Sequence, residues 1–278
     1  MDITTLQTLL FVPADRPERY AKALVSGADA IIIDLEDAVA TAAKDKARHM
    51  LADWLATQPA KCVLVRINAI DTPWFASDLE LCRAPAVAGI VLPKVENAQA
   101  LADIGEFAGK PLMPIIESAA GLAALNALAG SPHVARLLFG KLDLAIDLGL
   151  DYPPPPGEDP EENVFLFARS QLVLASRNAS LAPPVDGVYT PLDDPDGLIR
   201  YARRGARLGF AGMLLIHPRQ IDPVRSANTP SPAQIDWATR IVAATESAAG
   251  SATTLDGSMV DAPVVTRAQR ILQRAGAA

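Results

Sequence analysis

Charged side chains follow several apolar runs of this sequence, at the points where buried strands would end. Asp34 and Glu36 close the run "AIIIDLE", and Arg66 closes "CVLVR". Glu117 and Asp143 come directly after two later runs, "LMPII" and "RLLFGKL". Ionised carboxylates are costly to bury unless a cation pairs with them or they face a wet cavity. So many charges after such apolar runs indicate a functional site.

Glu117 and Asp143 are the candidate metal ligands. They would come from adjacent strands, so both carboxylates can point at one spot. His217 is the only histidine at a predicted strand end, and oxygen ligands favour a hard ion such as Mg2+, completed by water and substrate. A buried network in which the two acids pair with Arg66 and Lys94 is the alternative, and the spacing leaves both open.

Arg66 and Lys94 are the cations of this group. The planar fork of Arg66 suits a substrate carboxylate or a developing enolate oxygen, although a plain salt bridge to Asp34 or Glu36 would use the same donors. A lysine at a strand end can form a Schiff base when its pKa is depressed. The surrounding carboxylates would instead keep Lys94 protonated, so we expect an ion pair.

The elements that position these residues alternate between apolar runs and helical patterns. The runs cover residues 8–13, 30–36, 62–68, 89–94, 112–118, 136–143, 185–190 and 212–218. Strands that are apolar on both faces and alternate with helices indicate a parallel sheet. Eight such units predict a (β/α)8 TIM barrel, whose active site forms at the carboxyl ends of the strands. An open doubly wound sheet is the rival, but no GxGxxG follows the first strand.

Two segments lie outside the eightfold pattern. The Pro-rich acidic stretch "LDYPPPPGEDPEEN" at 150–163 predicts a surface loop. A helix near 231–247 and a last helix from about Ala262 follow the eighth unit. We therefore expect a barrel catalytic domain over residues 1–230 and a C-terminal helical extension with a lid over residues 231–278.

Composition excludes several classes of protein. The chain has 25 Lys and Arg against 32 Asp and Glu, a formal net charge of −7, and no basic cluster, which argues against a nucleic-acid partner. Two cysteines are too few for a disulfide framework. The N-terminus lacks a signal-type pattern, and no apolar run approaches the ~20 residues that span a bilayer. We expect a cytoplasmic protein with no membrane partner.

Seven segments, in order, are "LLFVPADRPERYAKALVSGADAIIIDLEDAV", "VRIN", "GIVLPKVENA", "PIIESAAGL", "FGKLDLAIDLG", "LGFAGMLLIHPRQI" and "LDGSMVDAP". Together they resemble the citrate lyase β-subunit-like family, the branch of the HpcH/HpaI aldolase/citrate lyase superfamily that includes malyl-CoA and citramalyl-CoA lyases. The resemblance covers nearly the whole chain. It implies a homotrimeric, sometimes hexameric, barrel enzyme that uses Mg2+ to cleave or form a C–C bond between a thioester enolate and a 2-oxo acid.

The resemblance also implies roles for single residues. Glu117 and Asp143 match the family's metal ligands, and Arg66 matches its substrate-binding arginine. Asp34 and Glu36 match acids that line the site, so that with Arg66 and Glu117 they would surround the substrate.

Three further residues complete the expected machinery. Asp261 of "GSMVDAP" matches the acid that a C-terminal lid brings to a neighbouring subunit's site, where it would move the thioester methyl proton. Aspartate before "APVV" is also a good N-cap, and from the sequence alone that alternative stays open. Arg16 and Lys44 are candidate contacts for the CoA portion, or else ordinary solvated helix charges.

The activity expected from these roles is the Mg2+-dependent cleavage or formation of a 3-hydroxyacyl thioester such as citramalyl-CoA, malyl-CoA or a citryl thioester. The products of cleavage would be an acyl thioester and a 2-oxo acid. The sequence leaves open which thioester is used and whether CoA or an acyl carrier protein carries it. A metal-dependent 2-keto-acid aldolase acting on free aldehydes and a non-catalytic metabolite-binding barrel are the alternatives.

Overall fold

The structure, a computed structural model, describes residues 2–59, 63–154, 162–247 and 253–276. The chain forms two compact units, Met1–Arg225 and Ser226–Ala278. Each unit has its own buried apolar core. The assignment of catalysis to the first unit and of a lid to the second stays a prediction.

The first unit is built on a parallel sheet. Its strands are β1 (Thr8–Pro13), β2 (Ala30–Asp34), β3 (Val63–Arg66), β4 (Val87–Leu92), β5 (Leu112–Ile116), β6 (Leu138–Phe139) and β7 (Met213–Leu215). They lie side by side in the order β6-β5-β4-β3-β2-β1-β7, and every pairing between them is parallel. The predicted α/β class with a parallel sheet is therefore confirmed.

The expected strand at 185–190 does not form as a regular strand. Within that range, Val185 makes an isolated parallel bridge to Leu138 of β6, and Asp186 makes one to Met213 of β7. Among the described residues the sheet therefore has seven strands, so the prediction of eight full strands was wrong. The remaining position is filled by two bridging residues.

Helices connect the strands of the first unit. They are α1 (Tyr20–Leu24), α2 (Lys44–Leu55), α3 (Phe75–Leu81), α4 (Ala98–Ala108), α5 (Ala119–Ala123), α6 (Leu125–Ala129), α7 (Lys141–Asp147), α8 (Leu166–Asn178) and α9 (Pro195–Leu208). A further helix, α10 (Ile221–Asn228), follows β7 and includes the residues at which the first unit ends and the second begins. Short 3-10 helices cover Ile3–Thr5, Pro17–Arg19, Thr41–Ala43, Asn163–Phe165 and Pro218–Gln220. Across the described ranges, none of the helices has the length and apolar character needed to cross a membrane.

The ends of α4 are set by residues that are good helix caps. The side chain of Asn97 accepts hydrogen bonds from the backbone N–H groups of Gln99 and Ala100, which satisfies two donors of the first turn. Gly109 ends the helix with φ of 61°, a left-handed conformation that glycine adopts without strain. This helix carries the chain from the loop after β4 back to the start of β5.

The strands are almost entirely buried. Every residue of β2, β4 and β5 is buried, as expected for a parallel sheet covered on both faces. Asp34, the last residue of β2, is only 1% exposed. A charged side chain at so buried a position needs a partner, and Arg66 of β3 is that partner.

Arg136 holds the opposite, amino end of the sheet. Its guanidinium is fully buried and donates from Nε to the carbonyl of Pro183 at 2.6 Å and from Nη1 to the carbonyl of Leu6 at 2.5 Å. Leu6 lies just before β1, and Pro183 lies just before Val185, which bridges to β6. Burial lowers the pKa of Arg136 to about 10. Arg136 therefore ties chain segments together at the end of the sheet away from the predicted site.

The second unit consists of two helices and a hairpin. The helices are α11 (Pro232–Ser247) and α12 (Ala262–Arg274), and the hairpin is β8 (Thr253–Leu255) with β9 (Ser258–Val260). Asp256 and Gly257 form its turn with positive φ, as a two-residue hairpin turn requires. Both C-terminal helices lie where the sequence predicts them. Their shared core consists of Ala238, Ile241, Val260, Ala268 and Ile271.

Candidate active site

The ends of β2 and β3 bring Asp34 and Arg66 together. The two residues are direct neighbours in the register of the sheet. Arg66 donates from Nε and Nη2 to the two carboxylate oxygens of Asp34, at 2.7 and 2.6 Å. The guanidinium also lies over the ring of Phe11, 4.6 Å from its centroid. The bidentate pair and the ring fix the plane of the guanidinium.

The turn after β2 is held by side chains on both sides. Asp34 accepts hydrogen bonds from the backbone N–H groups of Glu36 and Ala38, at 2.9 and 3.1 Å. Lys44 is buried, and its ammonium donates to the carbonyls of Leu35 and Glu36, both at 2.9 Å. These contacts let Lys44 hold the turn, and its expected contact with CoA stays a prediction.

Glu36 lies between the two cations of the site. Its carboxylate is 3.1 Å from Arg66 Nη1 and 3.3 Å from Lys94 Nζ. Burial nevertheless raises the pKa of Glu36 to about 7, because it outweighs the attraction of Arg66 and Lys94. Burial alone would lower the pKa of Lys94, but the charge of Glu36 and of other nearby acids outweighs burial, so the pKa is raised. Lys94 is therefore held protonated, as the sequence predicts, and is not poised for a Schiff base.

Glu117 follows β5 and is 4% exposed. Its Oε1 accepts a hydrogen bond from the backbone N–H of Lys94 at 2.7 Å. Lys94 has φ of 52°, a left-handed conformation that is uncommon for a residue other than glycine. Burial, followed by the charges of Glu36 and Asp143, raises the pKa of Glu117 to about 8. A buried carboxyl group crowded by two other acids suits a cation.

Asp143 lies on a helix, so the predicted strand over 136–143 was wrong beyond Phe139. The chain leaves β6 at Gly140 and enters α7 at Lys141, with Asp143 in the first turn of that helix. A Cβ atom on Gly140 would lie 2.4 Å from Oε2 of Glu117. The glycine therefore lets the Glu117 carboxylate approach the start of the helix that carries Asp143.

Two cavities meet at these acids. Their volumes are about 520 and 400 Å3, and both are lined by Glu117 and Asp143. Lys94 lines the larger cavity, while Asp34 and Arg66 line the smaller one. The structure thus places Asp34, Arg66 and Lys94 around two cavities that share Glu117 and Asp143 in their linings.

The two acids fit the requirements of Mg2+. Within the described parts of the chain, His, Cys, Asp and Glu side chains form no group of three or more that could hold a metal ion. A cation at Glu117 and Asp143 would therefore take its other ligands from water and substrate, as Mg2+ does readily. Their assignment as metal ligands stays a prediction.

Three other residues with sequence-based roles lie elsewhere. Arg16 is more than half exposed and approaches Asp15 at 3.7 Å, so its contact with CoA stays a prediction. Asp261 is the N-cap of α12 in the second unit and accepts from the N–H of Val264 at 3.3 Å. His217 caps the 3-10 helix at Pro218–Gln220, where its side chain accepts a hydrogen bond from the backbone N–H of Arg219.

Sequence reasoning missed Gly140 and a charged cluster around Glu162. The stretch "FGKLD" contained the signal for Gly140, because glycine inside an apolar run marks a bend or a close backbone approach. Glu162 closes the Pro-rich stretch that predicted a surface loop, yet its side chain is 11% exposed. Its partners come from distant parts of the sequence, so no local pattern could have found them.

Comparison with known proteins identifies relatives over the whole chain. The family model described as HpcH/HpaI aldolase/citrate lyase matches residues 7–218. A citrate lyase subunit beta-like protein of Mycobacterium tuberculosis is 39% identical over 269 residues, 97% of this chain and 95% of the relative. A (3S)-malyl-CoA thioesterase of Cereibacter sphaeroides is 33% identical over 98% of this chain and 95% of its own length.

A solved structure agrees with these relatives. The crystal structure of CitE from Mycobacterium tuberculosis, in complex with magnesium, acetoacetate and coenzyme A, superposes with a TM-score of 0.88 at 35% identity. The superposition covers 99% of this chain and 100% of that one.

Proposed function

The chain belongs to the HpcH/HpaI aldolase/citrate lyase family, and we propose that it is a Mg2+-dependent carbon–carbon lyase acting on a 3-hydroxyacyl thioester. The products of cleavage would be an acyl thioester and a 2-oxo acid. The observation that carries the proposal is the pair Glu117 and Asp143 at the meeting point of two cavities. The magnesium and coenzyme A in the related CitE structure support both the ion and the carrier.

Glu117 and Asp143 would hold the ion. Mg2+ would supply Lewis-acid polarisation of the substrate's oxygens. The backbone N–H of Lys94 orients the Glu117 carboxylate from one side. Gly140 leaves room for it on the other side. The protein therefore fixes one ligand before the ion arrives, which is the preorganisation that a precise site needs.

Arg66 would bind the negatively charged part of the substrate. Asp34 engages Nε and Nη2, so Nη1 is the nitrogen left to share between Glu36 and a substrate oxygen. A guanidinium held in a fixed plane can stabilise charge that develops on a carbonyl or enolate oxygen without reorganising. Glu36 and Asp34 would complete the wall around the substrate.

Asp261 would move the proton at the thioester methyl carbon. We propose that the protein is a homotrimer in which the second unit of one subunit brings Asp261 to the site of its neighbour. In the condensing direction the carboxylate removes the methyl proton, and in cleavage it returns the proton. The support is the family resemblance of the "GSMVDAP" segment.

We further propose that the sheet closes as a (β/α)8 barrel. Val185 and Asp186 support this because they bridge β6 and β7, the two outer strands in the order of the sheet. Closure would place the carboxyl ends of all the strands around one axis, as in other barrels of this type.

Hydrolysis of the thioester is the second candidate function, because a relative is a (3S)-malyl-CoA thioesterase. Purified protein would be incubated with malyl-CoA, citramalyl-CoA and citryl-CoA, with Mg2+ or with EDTA. We expect a 2-oxo acid, measured with a dehydrogenase, and an acyl-CoA that keeps its thioester. Release of free thiol without a 2-oxo acid would identify a thioesterase. Turnover that is unchanged in EDTA would refute the metal-dependent mechanism.

The variant that tests Glu117 as a metal ligand is Glu117→Gln, which keeps the shape of the side chain and removes its charge. We expect it to abolish both Mg2+ binding and 2-oxo acid release while the protein stays folded. Condensation of a 2-oxo acid with a free aldehyde by the wild type would instead support the aldolase alternative.

A further inference from the structure

Glu162 anchors a buried charged cluster beside α7. One carboxylate oxygen accepts hydrogen bonds from Lys141 Nζ at 2.5 Å and from the hydroxyl of Tyr152 at 2.6 Å. The other accepts from Arg169 at 2.8 Å and from Arg204 at 3.2 Å. The three cationic side chains are 2%, 1% and 8% exposed. One carboxylate therefore joins four segments of the first unit.

Lys141 links this cluster to the candidate metal site. It is the first residue of α7, and Asp143 lies two residues later in the same turn. On the other side of Lys141, the N–H of Gly140 donates to the carbonyl of Ile116 at the end of β5. The start of α7 is thus held by a backbone bond to β5 and by a side-chain ion pair to Glu162.

Both partners of the Glu162–Lys141 ion pair are largely withdrawn from water, and burial lowers the pKa of Lys141 although Glu162 acts in the opposite direction. Burial alone would raise the pKa of Glu162, but the charges of Lys141 and Arg169 lower it to about 2, so the carboxylate stays charged. The Lys141 ammonium also lies 4.4 Å from the centroid of the Tyr201 ring. Asp186 adds a second carboxylate, 3.1 Å from Arg169. Removing the charge of Glu162 would take away the ion-pair partner of Lys141 and leave only the more distant charge of Asp186 to act on its buried ammonium.

We propose that Glu162 is a positioning residue for metal binding: its ion pair with Lys141 fixes the first turn of α7 and, through it, the carboxylate of Asp143. This role rests on the proposed function, in which Asp143 holds Mg2+. It also assigns a role to Glu162, which lies near the end of the Pro-rich stretch at 150–163. Mg2+ requires nearly ideal octahedral geometry at about 2.0–2.1 Å, so a small shift of one ligand weakens its binding.

The test measures the Mg2+ dissociation constant of the full chain by calorimetry. We expect Glu162→Gln to raise the dissociation constant at least tenfold. At saturating Mg2+, its kcat should return to within about threefold of wild type, because the loss lies in placing the ligand. Lys141→Met should raise the dissociation constant similarly. The double variant should be no worse than either single one, because both act through the same ion pair.

A control separates positioning from general loss of stability. Arg136→Gln disturbs a buried cation at the amino end of the sheet, so it should lower Tm without changing the Mg2+ dissociation constant. Tyr152→Phe removes one hydrogen bond but no charge and should change the constant less than threefold. If Glu162→Gln lowers Tm like Arg136→Gln yet binds Mg2+ within twofold of wild type, Glu162 is only structural and the inference is wrong.

Two further outcomes keep the test decisive. If Glu162→Gln does not fold, Glu162→Asp takes its place, since it keeps the charge but withdraws it by one methylene. A rise of threefold or more supports positioning, and an unchanged constant overturns it. If wild type binds Mg2+ and Glu117→Gln abolishes binding while the Glu162 variants bind normally, only this inference fails. If wild type binds no Mg2+, the proposed function fails with it.

Discussion

Gly140→Ala tests whether the space beside Glu117 sets the position of the metal ligand. The new Cβ would lie 2.4 Å from Glu117 Oε2, 2.5 Å from Glu117 Cβ and 2.7 Å from Cγ2 of Ile115. Ordinary contact begins at 3.4 Å, so the carboxylate must move by about 1 Å. Gly140 itself has φ of −101°, which alanine can adopt, so the cost is steric and not a matter of backbone conformation.

The carboxylate cannot move without losing a contact. Its Oε1 is bound to the N–H of Lys94 at 2.7 Å, and the N–H of Gly140 is bound to the carbonyl of Ile116 at 3.0 Å. Overpacking of this kind costs about 1–3 kcal/mol of stability. A ligand displaced by this distance should weaken Mg2+ binding at least about tenfold, or about 1.4 kcal/mol.

Calorimetric titration with Mg2+ and thermal unfolding would measure the two effects. The matched control is Gly130→Ala, because a Cβ there meets its nearest atom, the carbonyl oxygen of Asn126, at 3.4 Å. The control should keep the Mg2+ affinity and the Tm of wild type. A Gly140→Ala protein that binds Mg2+ as tightly as wild type would refute the argument that this contact positions Glu117.

Four other experiments test the remaining parts of the site. Because burial, then Glu36 and Asp143, raises the pKa of Glu117 from 4.5 to about 8, the folded metal-free protein keeps a proton that the unfolded chain releases. Its free energy of unfolding should therefore fall as the pH rises from about 5 to 8. If Tm falls with pH as steeply in Glu117→Gln as in wild type, this explanation is wrong. Arg66→Lys loses the bidentate fork, so kcat/KM should fall at least about tenfold, ~1.4 kcal/mol, while Mg2+ affinity is kept; kinetics like wild type would make Arg66 a structural partner only. Asp261→Asn keeps the helix cap, so its Tm should be unchanged, but turnover should fall at least ~100-fold. Mixing Asp261→Ala with Glu117→Ala subunits should restore activity, and mixtures that stay inactive despite subunit exchange would mean that Asp261 does not serve a neighbour.

Local patterns predicted the parts of the structure that local interactions determine. Asn97 and Gly109 bound α4, and such ends can be read from the sequence because capping depends on a few neighbouring residues. The ends of β2 and β3 carry Asp34 and Arg66 as expected, since an apolar run that stops at a charge is visible in the sequence. Their pairing followed from the parallel order of adjacent strands.

Non-local packing decided what the sequence could not show. The run over 136–143 is apolar enough for one strand, but the chain bends at Gly140 to make room for Glu117, a residue 23 positions earlier. Glu162 is largely shielded from solvent because Lys141, Arg169 and Arg204 converge on it from different helices. Polar residues in a Pro-rich stretch give no sign of such partners.

The uneven lengths of the strand pairings have a consequence for hydrogen exchange. β1 and β2 pair over five positions, whereas β5 and β6 pair over two. Short pairings can open locally at a lower free energy than the whole fold. We expect the amides of Phe139 and Asp186 to exchange with solvent before those of β1 and β2. Asp143 follows β6 and Asp34 ends β2, so we expect the wall that carries Asp143 to open at a lower free energy than the wall that carries Asp34.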